Sequence, residues 1–86
     1  MWEVILSKKA QEDLEKLRNI GLFNKIKELV GILRENPFLN SHYYEKLVGN
    51  LKGCYSRRIN VKHRLVYRVI KEIQTVEIIR MWSHYE

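Results

Sequence analysis

Residues 53–67 read Gly53-Cys54-Tyr55-Ser56-Arg57-Arg58-Ile59-Asn60-Val61-Lys62-His63-Arg64-Leu65-Val66-Tyr67, and this stretch decides the fold. Two β-rich runs flank a short polar connection, which is the pattern of a tight antiparallel hairpin. Successive side chains on a strand point to opposite faces. Tyr55, Arg57, Ile59 and Val61 therefore share one side of the first run, and Cys54, Ser56, Arg58 and Asn60 share the other. The side bearing Ile59 and Val61 is expected to face the core. In the second run His63, Leu65, Tyr67 and Val69 alternate with Arg64, Val66, Arg68 and Ile70. A turn centred on Val61 then sets Arg58 opposite Arg64 on the less apolar face. Like charges across a ladder are destabilising by up to about 1 kcal/mol, and an anion held between them reverses that sign. Two arginines suit phosphate, because the planar guanidinium fork matches its oxygens. The simpler reading is that both point into water or pair with Glu45 or Glu77.

Outward from the hairpin, Thr75 to Trp82 supplies a further strand, so the second half of the chain reads as an antiparallel meander. Upstream, Glu45 to Val48 is a short strand before the turn at Gly49-Asn50-Leu51-Lys52-Gly53, and Leu39 to Tyr44 is loop-like. Two helices precede that loop. In the first, Ser7 offers an N-cap, Ala10, Leu14 and Leu17 recur at helical spacing, and Asn19-Ile20-Gly21 ends the run. In the second, Leu22, Phe23, Ile26, Leu29, Val30 and Leu33 form one apolar stripe that Asn36-Pro37 stops. Such a pair covers a sheet, in preference to a membrane surface or a coiled coil. With a first strand at Trp2 to Leu6, the expected class is α+β in the order β-α-α-β-β-β-β, forming one domain over residues 1–86.

Composition narrows the partners. Sixteen Lys and Arg against ten Asp and Glu give a net charge of +6 and a sequence pI near 9.6, which favours polyanions such as nucleic acid. No apolar run approaches the roughly 20 residues that span a bilayer, and Met1 to Leu6 lacks the basic start of a signal peptide, so a cytoplasmic protein without a membrane partner is expected. The lone Cys54 cannot close an internal disulfide and reads as a small buried hydrophobe rather than a nucleophile paired with His63. His63 falls in register with Leu65 and Tyr67, which points to a structural role. The aromatics beside His42, Tyr43 and Tyr44, either cover a sheet edge or stack on bases. The three histidines lack metal-ligand spacing, so neither metal nor cofactor is expected.

Ser56-Arg57-Arg58-Ile59-Asn60, followed by His63-Arg64-Leu65-Val66-Tyr67 and by His84-Tyr85, closely resembles the YoeB/Txe family of toxins within the RelE/ParE superfamily. The likeness extends upstream through Gly53, Asn50-Leu51 and Glu45 to Asn36-Pro37-Phe38. It implies a RelE-like fold, with an α-hairpin packed on a twisted, mainly antiparallel sheet. It also implies a toxin that enters the ribosomal A site, contacts ribosomal RNA and cleaves messenger RNA without a metal, an endoribonuclease that arrests translation. Its partners would be a neutralising antitoxin, acidic where it meets this basic surface, and a second copy of itself.

By this resemblance Glu45 is the general base, Arg58 and Arg64 contact the scissile phosphate, His84 is the general acid, and Tyr85 orients the substrate or stacks on a base. Tyr55, Arg57 and Lys62, in the same hairpin, are expected to help bind substrate. The sequence departs from the family pattern at Asn40-Ser41-His42-Tyr43-Tyr44, where relatives carry glycine, lysine and proline, at Val48, and at Glu86 after the tyrosine. Two other functions fit the same residues: a ParE-like toxin that binds a topoisomerase without catalysis, and a plain RNA-binding or ribosome-binding module.

Overall fold

The computed structural model describes residues 1–39 and 43–82. Strand β1 (Glu3–Leu6) leads into Ser7, which caps helix α1 (Lys8–Asn19). The Ser7 hydroxyl accepts the Ala10 N–H at 3.1 Å, satisfying one of the donors that a helix start leaves open. It also donates to the Ile79 carbonyl at 2.8 Å, so the cap is tied to the far end of the chain. Gly21, with φ of 84°, turns the backbone into helix α2 (Phe23–Glu35). A side chain is disfavoured in that left-handed conformation. Asn36, extended ahead of Pro37, ends α2 as the sequence predicts.

Four more strands follow: β2 (Tyr44–Lys46), β3 (Cys54–Arg58), β4 (Arg64–Ile70) and β5 (Thr75–Arg80). They form a five-stranded sheet in the order β1-β5-β4-β3-β2, with β1 parallel to β5 and the other neighbours antiparallel. This is the expected α+β meander. Arg58 stands directly opposite Arg64, as a turn centred on Val61 requires.

The strands are shorter than the sequence suggests. β3 stops at Arg58 instead of Val61, because Asn60 Oδ1 accepts the backbone N–H groups of Lys62 at 2.9 Å and His63 at 2.7 Å and folds the connection into a loop. Val61 is therefore 90% exposed rather than part of the core, while Ile59 keeps its predicted burial. β2 begins one residue early and excludes Leu47 and Val48, and β5 stops at Arg80, two residues before Trp82.

Both helices pack on the face that carries Leu65, Tyr67, Val76 and Ile78, and they fill it with Ala10, Leu17, Ile26, Leu29 and Leu33. Burying each of these leucines contributes roughly 1.5–3 kcal/mol. A charged side chain of α1 joins them. Asp13 is 2% exposed; its carboxylate accepts Arg80 Nε at 2.8 Å and the Met81 N–H at 3.0 Å, pinning α1 to the end of β5. The opposite face of β2, β3 and β4 carries neither α-helix.

Candidate active site

The helix-free face holds a cleft of about 290 Å³ lined by Glu45, Lys46, Leu47, Val48, Leu51, Ser56 and Arg64. Strand register builds it. Glu45 on β2 pairs with Ser56 on β3, Ser56 pairs with Val66 on β4, and Arg58 pairs with Arg64, so all alternate to the same side. Gly53, with φ of 94°, makes the turn that feeds β3 beside the cleft wall.

Arg64 Nη1 donates to Glu45 Oε1 at 2.5 Å, with the two side chains 26% and 44% exposed. A pair this open to solvent contributes little to stability. Its consequence is positional: a cation and a carboxylate are held together at the mouth of the cleft. Arg68 takes the other nearby carboxylate, donating to Glu77 Oε1 at 2.7 Å. The simple expectation of pairing with Glu45 or Glu77 thus holds for Arg64, but not for Arg58. Arg58 is exposed and has no ion-pair partner among the described residues, which leaves uncompensated positive charge on this face. Phosphate chemistry needs that arrangement: a base close to one cation, and a second cation free to take an anionic oxygen.

Ser56 is a member of the cleft that the sequence reading did not single out. It is 2% exposed, and its hydroxyl has no hydrogen-bond partner among the described residues. A buried unsatisfied hydroxyl costs roughly 1–3 kcal/mol. The available signal was its register opposite Glu45, which follows once β2 is paired with β3.

Two of the expected substrate-binding residues turn the other way, and their assignment is corrected here by alternation along β3. Arg57 is 1% exposed on the helix-covered side. Its Nη2 donates to the carbonyls of Pro37 at 2.9 Å and Leu39 at 3.0 Å, and its Nε donates to the Tyr67 hydroxyl at 3.2 Å. Tyr67 in turn donates to Pro37 O at 2.9 Å, and burial, opposed by the Arg57 charge, pushes its hydroxyl up to about 12. Tyr55 packs beside them, its ring 5.5 Å from Phe38, 5.8 Å from Tyr44 and 5.7 Å from Tyr67. Together they fasten the chain after α2 to the sheet, which sets where β2 and Glu45 begin.

Lys62 lies exposed in the turn, apart from the cleft lining. His63 is 4% exposed and stacks on Trp82 with ring centroids 4.5 Å apart, in agreement with a structural role. Lys16 Nζ lies 5.2 Å from the Trp82 ring centroid, so α1, the hairpin turn and the end of the described chain meet there. Burial pushes the Cys54 thiol up and favours its neutral form. His84 and Tyr85, the expected acid and its neighbour, lie outside the described residues, as does His42.

A family model described as the YoeB-like toxin of bacterial type II toxin-antitoxin system matches residues 7–85. Toxin YoeB of Escherichia coli (strain K12) is 46% identical over 48 residues, 56% of this chain and 57% of that one. The match thus spans about half the length of such curated relatives. Solved structures are similar over nearly the whole chain. YoeB in the YoeB-YefM complex from Staphylococcus aureus superposes with a TM-score of 0.81 and 35% identity, covering 99% of both chains. The YoeB dimer from the same organism gives 0.82 and 36%, covering 98% of both. Fold, cleft and likeness define a toxin of the bacterial type II toxin-antitoxin class. Within that class, the chain belongs to the YoeB-like family.

Proposed function

We propose that this protein is a ribosome-dependent endoribonuclease that cuts messenger RNA in the ribosomal A site and so halts translation in the cytoplasm. The observation that carries the reading is the Arg58–Arg64 rung with Glu45 bonded to Arg64 on the helix-free face. A phosphodiester entering between the two arginines competes with Glu45 for the Arg64 guanidinium. Phosphate binding thereby releases the carboxylate beside the ribose that it must deprotonate.

Glu45 then takes the proton of the 2′-hydroxyl, and the 2′-oxygen bonds to phosphorus. Arg58 and Arg64 stabilise the charge that gathers on the non-bridging oxygens, and the bond from phosphorus to the 5′-oxygen breaks. His84, assigned by the family resemblance, donates a proton to the departing oxygen; imidazole holds and releases protons near neutrality. Tyr85 orients the substrate beside it. The products are a 2′,3′-cyclic phosphate and a 5′-hydroxyl, and the electron count closes without an oxidant or a metal.

The similar S. aureus proteins were solved as a complex with YefM and as a dimer. An antitoxin that is acidic where it covers the +6 chain, and a homodimer, are the corresponding partners for this protein. The test is induction in growing bacteria with mapping of transcript 5′ ends. New ends within A-site codons, lost with His84→Gln, are expected; intact transcripts with inhibited DNA supercoiling would point instead to topoisomerase binding.

A further inference from the structure

A second groove opens at the end of the hairpin, on the other side of Arg58 from the cleft. It has a volume of about 530 Å³ and is lined by Lys25 and Leu29 of α2, Tyr43, and Arg57 through Val61. Its walls are apolar at Leu29, Ile59 and Val61, aromatic at Tyr43 and cationic at Lys25 and Arg58. We propose that this groove is a nucleotide subsite, taking one unstacked RNA base whose phosphate is held by Arg58; this deepens the proposed function and rests on it for the identity of the RNA.

Three observations converge on a nucleotide. Tyr43 is 76% exposed, whereas its neighbour Tyr44 is packed into the aromatic cluster, so Tyr43 alone presents a free ring face. Base stacking on such a ring is sequence-tolerant and is a recurrent anchor for single strands. Asn60 Oδ1 is already bonded to the N–H groups of Lys62 and His63, which fixes the amide orientation. What Asn60 can offer a ligand is its Nδ2 donor, matched to an acceptor on a base edge. Lys25 makes a loose 3.8 Å pair with Glu28 in solvent, a contact that a phosphate readily outcompetes.

Arg58 links the two sites. It faces Arg64 across the ladder and also lines the groove, so a chain whose scissile phosphate lies between the arginines has its adjoining nucleotide at the groove mouth. Val61, 90% exposed at the lip, adds apolar area that the ribose or base edge covers.

The probe is a short oligoribonucleotide with every 2′-hydroxyl methylated, which binds and cannot be cut. Tyr43→Ala is expected to weaken its binding about 5- to 100-fold, with Tyr43→Trp restoring it. On titration the Tyr43 ring and Asn60 side-chain amide resonances shift together. Unchanged affinity in Tyr43→Ala, with Arg64→Ala still weakening it, would overturn the subsite. The source of the base is read on ribosomes. If Tyr43→Ala raises KM for message cleavage but still co-sediments with message-free ribosomes, the base comes from the message; loss of co-sedimentation makes it ribosomal. If the wild type binds the methylated RNA through Tyr43 yet cuts nothing, the subsite stands and the nuclease reading fails.

Discussion

Arg57 and Arg58 are neighbours on β3, yet Arg57 is 1% exposed and bonded to two backbone carbonyls, while Arg58 is exposed and has no ion-pair partner among the described residues. The strand supplies both with the same chemistry and turns them to opposite faces. On the helix-covered face a guanidinium meets carbonyls that the bend after α2 leaves unpaired, and it becomes a structural tie. On the helix-free face it stands exposed across the ladder from another arginine, with no ion-pair partner among the described residues, the arrangement from which anion binding is proposed. The function of each arginine is set by what lies opposite it, not by its type.

The sharpest way to break this contrast is to remove each arginine in turn. Arg58→Ala is expected to lower ribosome-dependent cleavage by about 100-fold or more, the usual loss for a group stabilising transition-state charge, with a melting curve close to the wild type's. Arg57→Ala reverses the pattern. It leaves the Pro37 and Leu39 carbonyls and the Tyr67 hydroxyl short of a charged donor, and should cost about 3 kcal/mol in urea unfolding. Cleavage per folded molecule should survive at low temperature. Equal stability losses in the two variants would dissolve the contrast.

Asp13 gives a smaller effect with a signature in pH. Burial pushes its carboxyl up, but the Arg80 and Met81 hydrogen bonds and the charges of Arg80 and Lys16 outweigh this and hold it below its ordinary 3.8. A depressed native pKa stabilises the fold fully above the unfolded value, and the contribution fades as pH falls through the native one. Asp13→Asn should therefore cost about 2 kcal/mol at neutral pH, with the gap from wild type closing below about pH 4. A gap that persists into acid would mean that Asp13 acts by packing alone. Smallest of all, Arg68→Ala at its exposed pair with Glu77 should change stability by less than about 1 kcal/mol, and less still in high salt.

Period-two alternation and a short turn were enough to set Arg58 opposite Arg64, because a connection of so few residues leaves little freedom in register. The helix caps were equally local: Ser7, Gly21 and Asn36-Pro37 each act within a residue or two of their own position. What escaped was contact across the chain. Nothing near Arg57 announces the Pro37 and Leu39 carbonyls 20 and 18 residues away. Asp13 does fall between Ala10 and Leu17 on the buried side of α1, but its partner Arg80 is 67 residues distant. Val61 failed for a local reason, since the Asn60 side chain captured two backbone donors that a longer strand would have used. Of the candidate site, Glu45 and Arg64 are bonded in the cleft that Ser56 also lines, Arg58 lies across the ladder from Arg64, Tyr55 and Arg57 pack on the opposite face, and His84 and Tyr85 lie outside the described residues.

The most direct measurement is single-turnover cleavage of a ribosome-bound message by the wild type and by Glu45→Gln, which keeps the shape of the side chain and removes the base. The account predicts a discrete A-site cut with a 5′-hydroxyl end from the wild type. Glu45→Gln should bind the ribosome as well and cut about 100-fold more slowly or worse. Cutting by Glu45→Gln at the wild-type rate, or a message left whole by the folded wild type, would contradict it.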